Sequence, residues 1–418
     1  MSTNDCKIRA GFFSPGWPLS YMPNGIVSYI ENIISGFANE DIATKIEPVV
    51  LTSKLAGLEV NNQLIDISKF AKNTPIYQHL IDKLLYTINI PITESIKYQR
   101  LMLPEAHTIL QGLQHLRTPL DILEIEESFG VASLLIRKSK FPIVTRLHGP
   151  WFIHGPIMKF DKASNYNLRV LKEGEGIIQS HGITSPSLDV LEKTRAFYNI
   201  DLPNAKVIPN PVGEVNSENL WHYNVKNEAY ILVVGRFDLH KGGDIALQEF
   251  RIIAMKNKEV KLCFVGPDRG ISVDGNLLNI NEYINKFIPE EHVRKRIEFR
   301  GHSNPEQISQ LRKNSLVTIF PSRYENLPLS LLEALATGCA TVSTPVGGIK
   351  EILINEFNGL LAEPESPDSI AEKVLTLLDD PAKMQRLSKN AIEDTKNRFS
   401  AKIVAAQTAD FYKTVLAT

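Results

Sequence analysis

Short apolar runs rich in β-branched and aromatic residues alternate with helix-like patterns along this chain, and the alternation is played twice. Such alternation implies parallel sheets covered on both faces by helices, an α/β architecture. In the first half, residues 7–14 (KIRAGFFS) read as the opening strand, followed by 46–52, 120–125 and 141–147. Asn24 is suited to cap a helix whose apolar face carries Ile26, Ile30, Ile33 and Phe37. The second half restarts the scheme with strands at 230–237, 261–265, 296–299, 316–321 and 340–344. A length of 418 residues fits two domains of about 200 each. We expect them at 1–212 and 225–397, joined through the Pro/Gly turn 208–213 and the polar stretch to Asn227. Residues 381–417 read as helical, with a final helix at about 398–418 returning to the first domain. The Leu/Ile-rich stretch 75–116 reads as two inserted helices. It lacks a lysine-rich face, so packing on the domain is favoured over docking on lipid or a partner.

Two doubly wound, Rossmann-like domains facing each other leave a cleft at the carboxyl ends of their sheets, where open α/β sheets bind ligands. Chemistry is therefore expected in loops directly after strands. With 46 basic and 47 acidic residues the net charge is -1, which argues against a nucleic-acid partner. Cys6, Cys263 and Cys339 are far apart and suit a reducing compartment. The N-terminus has no signal-peptide layout, and no apolar run approaches the ~18–20 residues that span a bilayer. The expectation is a cytoplasmic protein, at most peripheral at the inner face of the membrane.

Two loops are unusual. Gly235-Arg236 through Lys241-Gly242-Gly243 follows the strand YILVV. There a guanidinium fork and a mobile ammonium can reach one anionic group. Taken alone, the motif is better explained by two solvated charges on a surface turn. The second loop, from Phe320 to Gly338, leads from a strand into a helix, with Pro328 suited to the first helical position and Gly338 to its end. The free N–H groups near Asn326 and Leu327, together with the helix dipole that begins at Pro328 and Leu329, form a natural phosphate site. Glu325 lies just outside that helix start. Glu333 lies about 7.5 Å down the helix axis from Pro328 at ~1.5 Å per residue. Each carboxylate could hold a different diol of an elongated ligand. The alternative for Glu333 is a helix-surface charge, out of place beside Leu331, Leu332, Ala334 and Leu335.

Together these loops resemble those of the retaining GT-B glycosyltransferases, in particular the bacterial group 1 (family 4) transferases. The E-x7-E motif stands as Glu325 to Glu333, and the GR-x4-KG motif as Gly235-Arg236 to Lys241-Gly242. The turn 208–213 looks like the family's linker, and 344–351 and 358–362 like its later signatures. Where the family carries Gly-Gly after the first strand, this chain has Asn24-Gly25, with Gly25 left to permit approach to the donor. His148, after a strand, resembles the family's histidine at the reaction centre; its other reading is a turn histidine bonded to backbone.

The resemblance implies transfer of a sugar from a UDP-, GDP- or other nucleoside diphosphate donor to a hydroxyl acceptor, with retention and without a cofactor. Arg236 and Lys241 would neutralise the diphosphate, Glu325 would orient the donor sugar, Glu333 would hold the ribose and His148 would contact the sugar. No metal is implied, and the chain contains no D-x-D. Trp17 and the pair Trp151-Phe152 read equally as sugar-stacking or core residues. The run Glu124, Glu126 and Glu127 faces either the cleft or solvent. A nucleotide-sugar hydrolase or epimerase, or a non-catalytic sensor, are the competing functions.

Overall fold

The computed structural model describes residues 7–71, 94–163, 165–223 and 229–418. Contacts divide the chain into one unit of Met1–Pro209 with Ala401–Thr418, and a second of Asn210–Ser400.

The first unit is built on seven strands: β1 (Ile8–Ser14), β2 (Ile46–Thr52), β3 (Leu64–Asp66), β4 (Ile122–Glu126), β5 (Ile143–Arg146), β6 (Gly182–Ser185) and β7 (Ala205–Val207). They lie in the order β3-β2-β1-β4-β5-β6-β7, and every pairing is parallel. Burial on both faces explains why β1 reads as a continuous apolar run rather than an alternating one. Asn24 caps the helix Gly25–Phe37, its Oδ1 accepting from the Ile26 and Val27 amides at 2.9 and 3.0 Å. The buried face uses Val27 in place of the expected Ile26, with Tyr29, Ile30, Ile33 and Phe37. The helix Ala401–Ala417 packs on this one, and a Cβ at Gly36 would fall 2.2 Å from the Ala401 carbonyl oxygen. Of the stretch 75–116, the described part includes a single helix, Glu94–Gln114, with Pro104 inside it; residues 72–93 lie outside the described residues.

The second unit has a six-stranded parallel sheet: β8 (Tyr230–Val234), β9 (Lys261–Val265), β12 (Ile297–Gly301), β13 (Val317–Phe320), β14 (Thr341–Ser343) and β15 (Leu360–Leu361). Its order is β12-β9-β8-β13-β14-β15, beside a small hairpin of β10 (Ile271–Val273) and β11 (Asn276–Leu278). The stretch expected to be a polar linker contributes to this unit instead. Trp221 is buried in its core, and its indole N–H donates to the Ser315 carbonyl at 2.7 Å. The helical stretch from residue 381 is two helices, Pro381–Phe399 and Ala401–Ala417. They are separated at Ser400, whose ψ of 146° is extended and which bridges to Val212. Among the described residues no helix is long and apolar enough to cross a membrane.

One buried group sets a stability expectation. Glu249, in the helix Gly243–Lys256, is 0% exposed, and neither carboxylate oxygen has a hydrogen-bond partner among the described residues. Burial raises its pKa well above 4.5, so the folded state holds a proton that the unfolded chain releases. That contribution to stability is complete below about 4.5 and is lost as pH rises toward the folded value. Glu249→Met is therefore expected to stabilise the protein by about 1–3 kcal/mol at pH 8 and by less at pH 4.5. Urea unfolding at the two pH values checks it; equal stability of both proteins at pH 8 would contradict it.

Candidate functional site

In the second unit the strand order reverses between β8 and β13, so the loops after these two strands lie side by side at the sheet's carboxyl edge. Their backbones touch. Gly242 has φ +68°, and a Cβ there would sit 2.0 Å from the Pro321 carbonyl oxygen. A Cβ on Gly347, after β14, would meet the Glu325 carbonyl oxygen at the same 2.0 Å. That carbonyl accepts instead from the Gly348 amide at 2.9 Å.

This packing brings together two residues 84 positions apart. The Lys241 ammonium donates to both oxygens of Glu325, at 2.6 and 2.8 Å, and the Ser322 hydroxyl donates to one of them at 2.8 Å. Burial alone would raise the Glu325 pKa; the charges of Lys241 and His240 overcome it and hold the carboxyl below its usual range. Burial lowers the pKa of His240 itself. Asp238 ties the first motif together. One of its oxygens accepts from Arg236 Nε at 2.7 Å and the other from the Lys241 amide at 2.8 Å. The Arg236 side chain is 40% exposed, while that of Glu325 is 8% exposed.

The following helix begins one residue later than expected, at Leu329. Pro328, with φ -71° and ψ 119°, is the extended residue before it, and its carbonyl accepts from Leu331 and Leu332 at 3.2 Å. Gly338 ends the helix as the sequence suggested, in the left-handed conformation at φ +86°. Asn326 and Leu327 are buried at its mouth, and the Leu327 carbonyl accepts from the Asn210 side-chain Nδ2 at 2.7 Å. The opening N–H groups of a helix lack intrahelical acceptors and carry the positive end of the dipole, which suits an anion beside Lys241.

Glu333 already has a partner that the sequence did not reveal. Arg312 donates to it at 2.6 Å, with side-chain exposures of 7% for Arg312 and 36% for Glu333. A carboxylate in this apolar helix is thus accounted for without a ligand, and a ribose would share it with Arg312. Glu333→Ala is expected to cost about 1–2 kcal/mol of stability by removing the charge that Arg312 faces. Thermal unfolding with and without a nucleoside diphosphate separates this loss from any loss of affinity; an unchanged melting point would show the pair to be idle.

In the first unit, His148 follows β5 and its ring meets Tyr29 edge-on at 5.0 Å. The Arg146 guanidinium lies 3.9 Å from the centre of the same Tyr29 ring. Burial, and then the charge of Arg146, push the His148 pKa well below its usual value, so the imidazole is neutral. Glu127 accepts from the His148 and Gly149 amides at 2.8 and 2.6 Å. Glu173 accepts from the Trp151 amide at 2.7 Å and from Arg169 at 2.8 Å. The acidic run is therefore no solvated loop: Glu124 and Glu127 are buried, and Glu124 accepts from the Tyr29 hydroxyl at 2.7 Å. Burial, with Glu173 and Glu126 nearby, raises Glu127 to about 8. Phe152 is buried against Phe197, ring centres 4.2 Å apart, while Trp151 stacks with Phe160 and Arg169. Trp17 is half-buried and bridges to Leu55. At Gly25 a Cβ would meet open space, so nothing in the protein itself demands glycine there.

Residues 217–394 match the model of the family described as glycosyl transferases group 1. Over those residues the chain is similar to the group 1 glycosyltransferases. A glycosyltransferase of Methanocaldococcus jannaschii that is itself uncharacterised is 27% identical over 246 residues, covering 56% of this chain and 60% of that protein. Among solved structures, sucrose-phosphate synthase from Thermosynechococcus elongatus superposes with a TM-score of 0.74 at 17% identity, over 98% of this chain and 100% of that one. Anabaena HepE in complex with UDP-glucose gives 0.66 at 16% identity, over 97% and 100%. Likeness at this identity is one of fold, and the fold is GT-B, each unit a Rossmann-like sheet. Within residues 217–394, Asp238, Ser322, Arg323, Asp244 and Arg312 were not singled out in the sequence. Only Asp238 had a local signal, its place inside GR-x4-KG.

Proposed function

We propose that this protein is a retaining, metal-independent glycosyltransferase of the family 4 type, moving a sugar from a nucleoside diphosphate to a hydroxyl acceptor. The observation that carries the reading is the Lys241–Glu325 pair, 2.6 Å apart, set beside Arg236 and the start of the helix Leu329–Thr337. Cations and helix N–H groups gathered at one carboxyl edge stabilise a departing diphosphate, where negative charge grows as the glycosidic bond breaks. In the proposed step the bond from the anomeric carbon to the phosphate oxygen breaks. The acceptor oxygen then bonds to that carbon on the same face, and its proton passes to the departing diphosphate. Glu325 orients the donor sugar, Glu333 holds the ribose and neutral His148 contacts the sugar as a hydrogen-bonding group. Asn326, Leu327, Pro328 and Leu329 line the phosphate end. Buried thiols at Cys263 and Cys339 fit a reaction in the cytoplasm.

A thermal-shift panel of UDP-, GDP-, ADP- and TDP-sugars tests the donor class. UDP-glucose goes first, because HepE was solved with it. Stabilisation by at least one nucleotide sugar and by its free diphosphate is expected; no shift with any of them would overturn the reading. Donor consumed at full rate without acceptor would identify a hydrolase instead. The rate of transfer is expected to stay within about twofold on adding EDTA, since Arg236 and Lys241 supply the positive charge at the phosphates. Complete loss restored by Mn²⁺ would show a metal to be required.

A further inference from the structure

Arg323 lies two residues before Glu325 and reaches back across the gap between the two loops. Its Nη1 and Nη2 each donate to an oxygen of Asp244 at 2.8 Å, a bidentate fork between residues 79 positions apart. Nη1 also donates to the Leu239 carbonyl at 2.7 Å, and the Arg323 amide donates to the His240 carbonyl at 2.9 Å. Residues 239, 240 and 244 surround Lys241, so every one of these bonds joins the loop of Glu325 to the turn of Lys241. Side-chain exposures of 18% for Arg323 and 15% for Asp244 keep the pair largely out of water, where an ion pair holds its geometry. Exposed Glu365 also lies 3.5 Å from Arg323. These side-chain bonds of Arg323 and Asp244 are distinct from those that join Lys241 to Glu325.

We infer that Arg323, clamped by Asp244, is a positioning residue that sets the Lys241 turn and the Glu325 loop in the register needed for sugar transfer. The inference rests on the function proposed above. A planar fork fixes both the distance and the angle between two loops, which a single bond to a flexible ammonium does not. Reactivity is sensitive to that register, since a misplacement of about 1 Å at the reacting centre can cost roughly 100-fold.

The test uses Arg323→Ala, Arg323→Lys and Asp244→Asn in the full chain, each checked for folding by thermal unfolding. Arg323→Ala is expected to lower kcat by about 30- to 100-fold while changing the donor KM by less than about fivefold. Arg323→Lys keeps the charge without the fork and should recover only part of the rate. Asp244→Asn, nearly isosteric, should resemble Arg323→Lys and keeps the question answerable if Arg323→Ala does not fold. In a Glu325→Gln background, Arg323→Ala should cause no further fall in kcat, because both changes disable one unit. A full additional loss there, or unchanged kcat in the folded single variants, would overturn the inference. The titration of the Glu325 carboxyl, followed by ¹³C NMR without substrate, reads the register directly. It should move upward in Arg323→Ala as Lys241 drifts away, and an unmoved titration overturns the inference whether or not any donor is turned over. Failure of the functional reading looks different: the unaltered protein would bind no nucleoside diphosphate while Glu325 still responded to Arg323.

Discussion

Glu325→Gln is expected to lower kcat by about 100- to 1,000-fold while the free nucleoside diphosphate binds somewhat more tightly than to the unaltered protein. The two effects have one cause. Lys241 is held by both oxygens of Glu325, at 2.6 and 2.8 Å, so a diphosphate that recruits Lys241 must compete with a carboxylate for it. Glutamine keeps the shape and one acceptor oxygen, but turns a charge–charge contact into a charge–dipole one. That difference is about 1 kcal/mol, roughly fivefold in diphosphate affinity. Turnover falls because the group that orients the sugar has lost its charge. Calorimetry with the free diphosphate and steady-state kinetics with the donor check both halves. A variant with unchanged kcat, or one that binds the diphosphate more weakly, would contradict the assignment. The substitution also has a pH signature. The depressed Glu325 pKa supplies stability that is present above about 4.5 and lost as pH falls through the folded value, and Glu325→Gln should lose that part of the acid dependence.

Arg236→Ala and Lys241→Ala are each expected to weaken donor and free diphosphate alike. Losing one charge-assisted contact costs about 1.5–3 kcal/mol, or roughly 10- to 150-fold. Their effects on stability should differ. Removing Lys241 leaves the Glu325 carboxylate, 8% exposed, without the ammonium that holds its pKa down, so the melting point should fall. Removing Arg236, 40% exposed, leaves Asp238 still bonded to the Lys241 amide, and the melting point should hardly move. Calorimetric affinities of both variants, set beside their thermal unfolding, separate the two. Unchanged diphosphate affinity in both would place the phosphates elsewhere.

What the sequence determined by itself was whatever rests on neighbours a few positions apart. The alternation of apolar runs with helical patterns produced two parallel sheets, and Asn24 and Gly338 act as helix ends because caps bond within a turn of the chain. The loops of Lys241 and Glu325 were legible for the same reason, as short motifs directly after strands. The tertiary structure decided the partners. Strand order sets β8 beside β13, and only that adjacency joins Lys241 to Glu325 and Arg323 to Asp244, across 84 and 79 positions. It also pairs Glu333 with Arg312, which answers a carboxylate that looked unexplained in an apolar helix. Trp221 shows the same limit: within a stretch otherwise rich in Asn, Ser and Glu it reads as linker, yet burying an indole in the nearby core outweighs that local polarity. At the break the chain bridges to Val212, distant in sequence, through the Ser400 region. Local pattern encodes which element forms; which side chains meet depends on how the sheet is ordered, and that is settled only when distant strands pack.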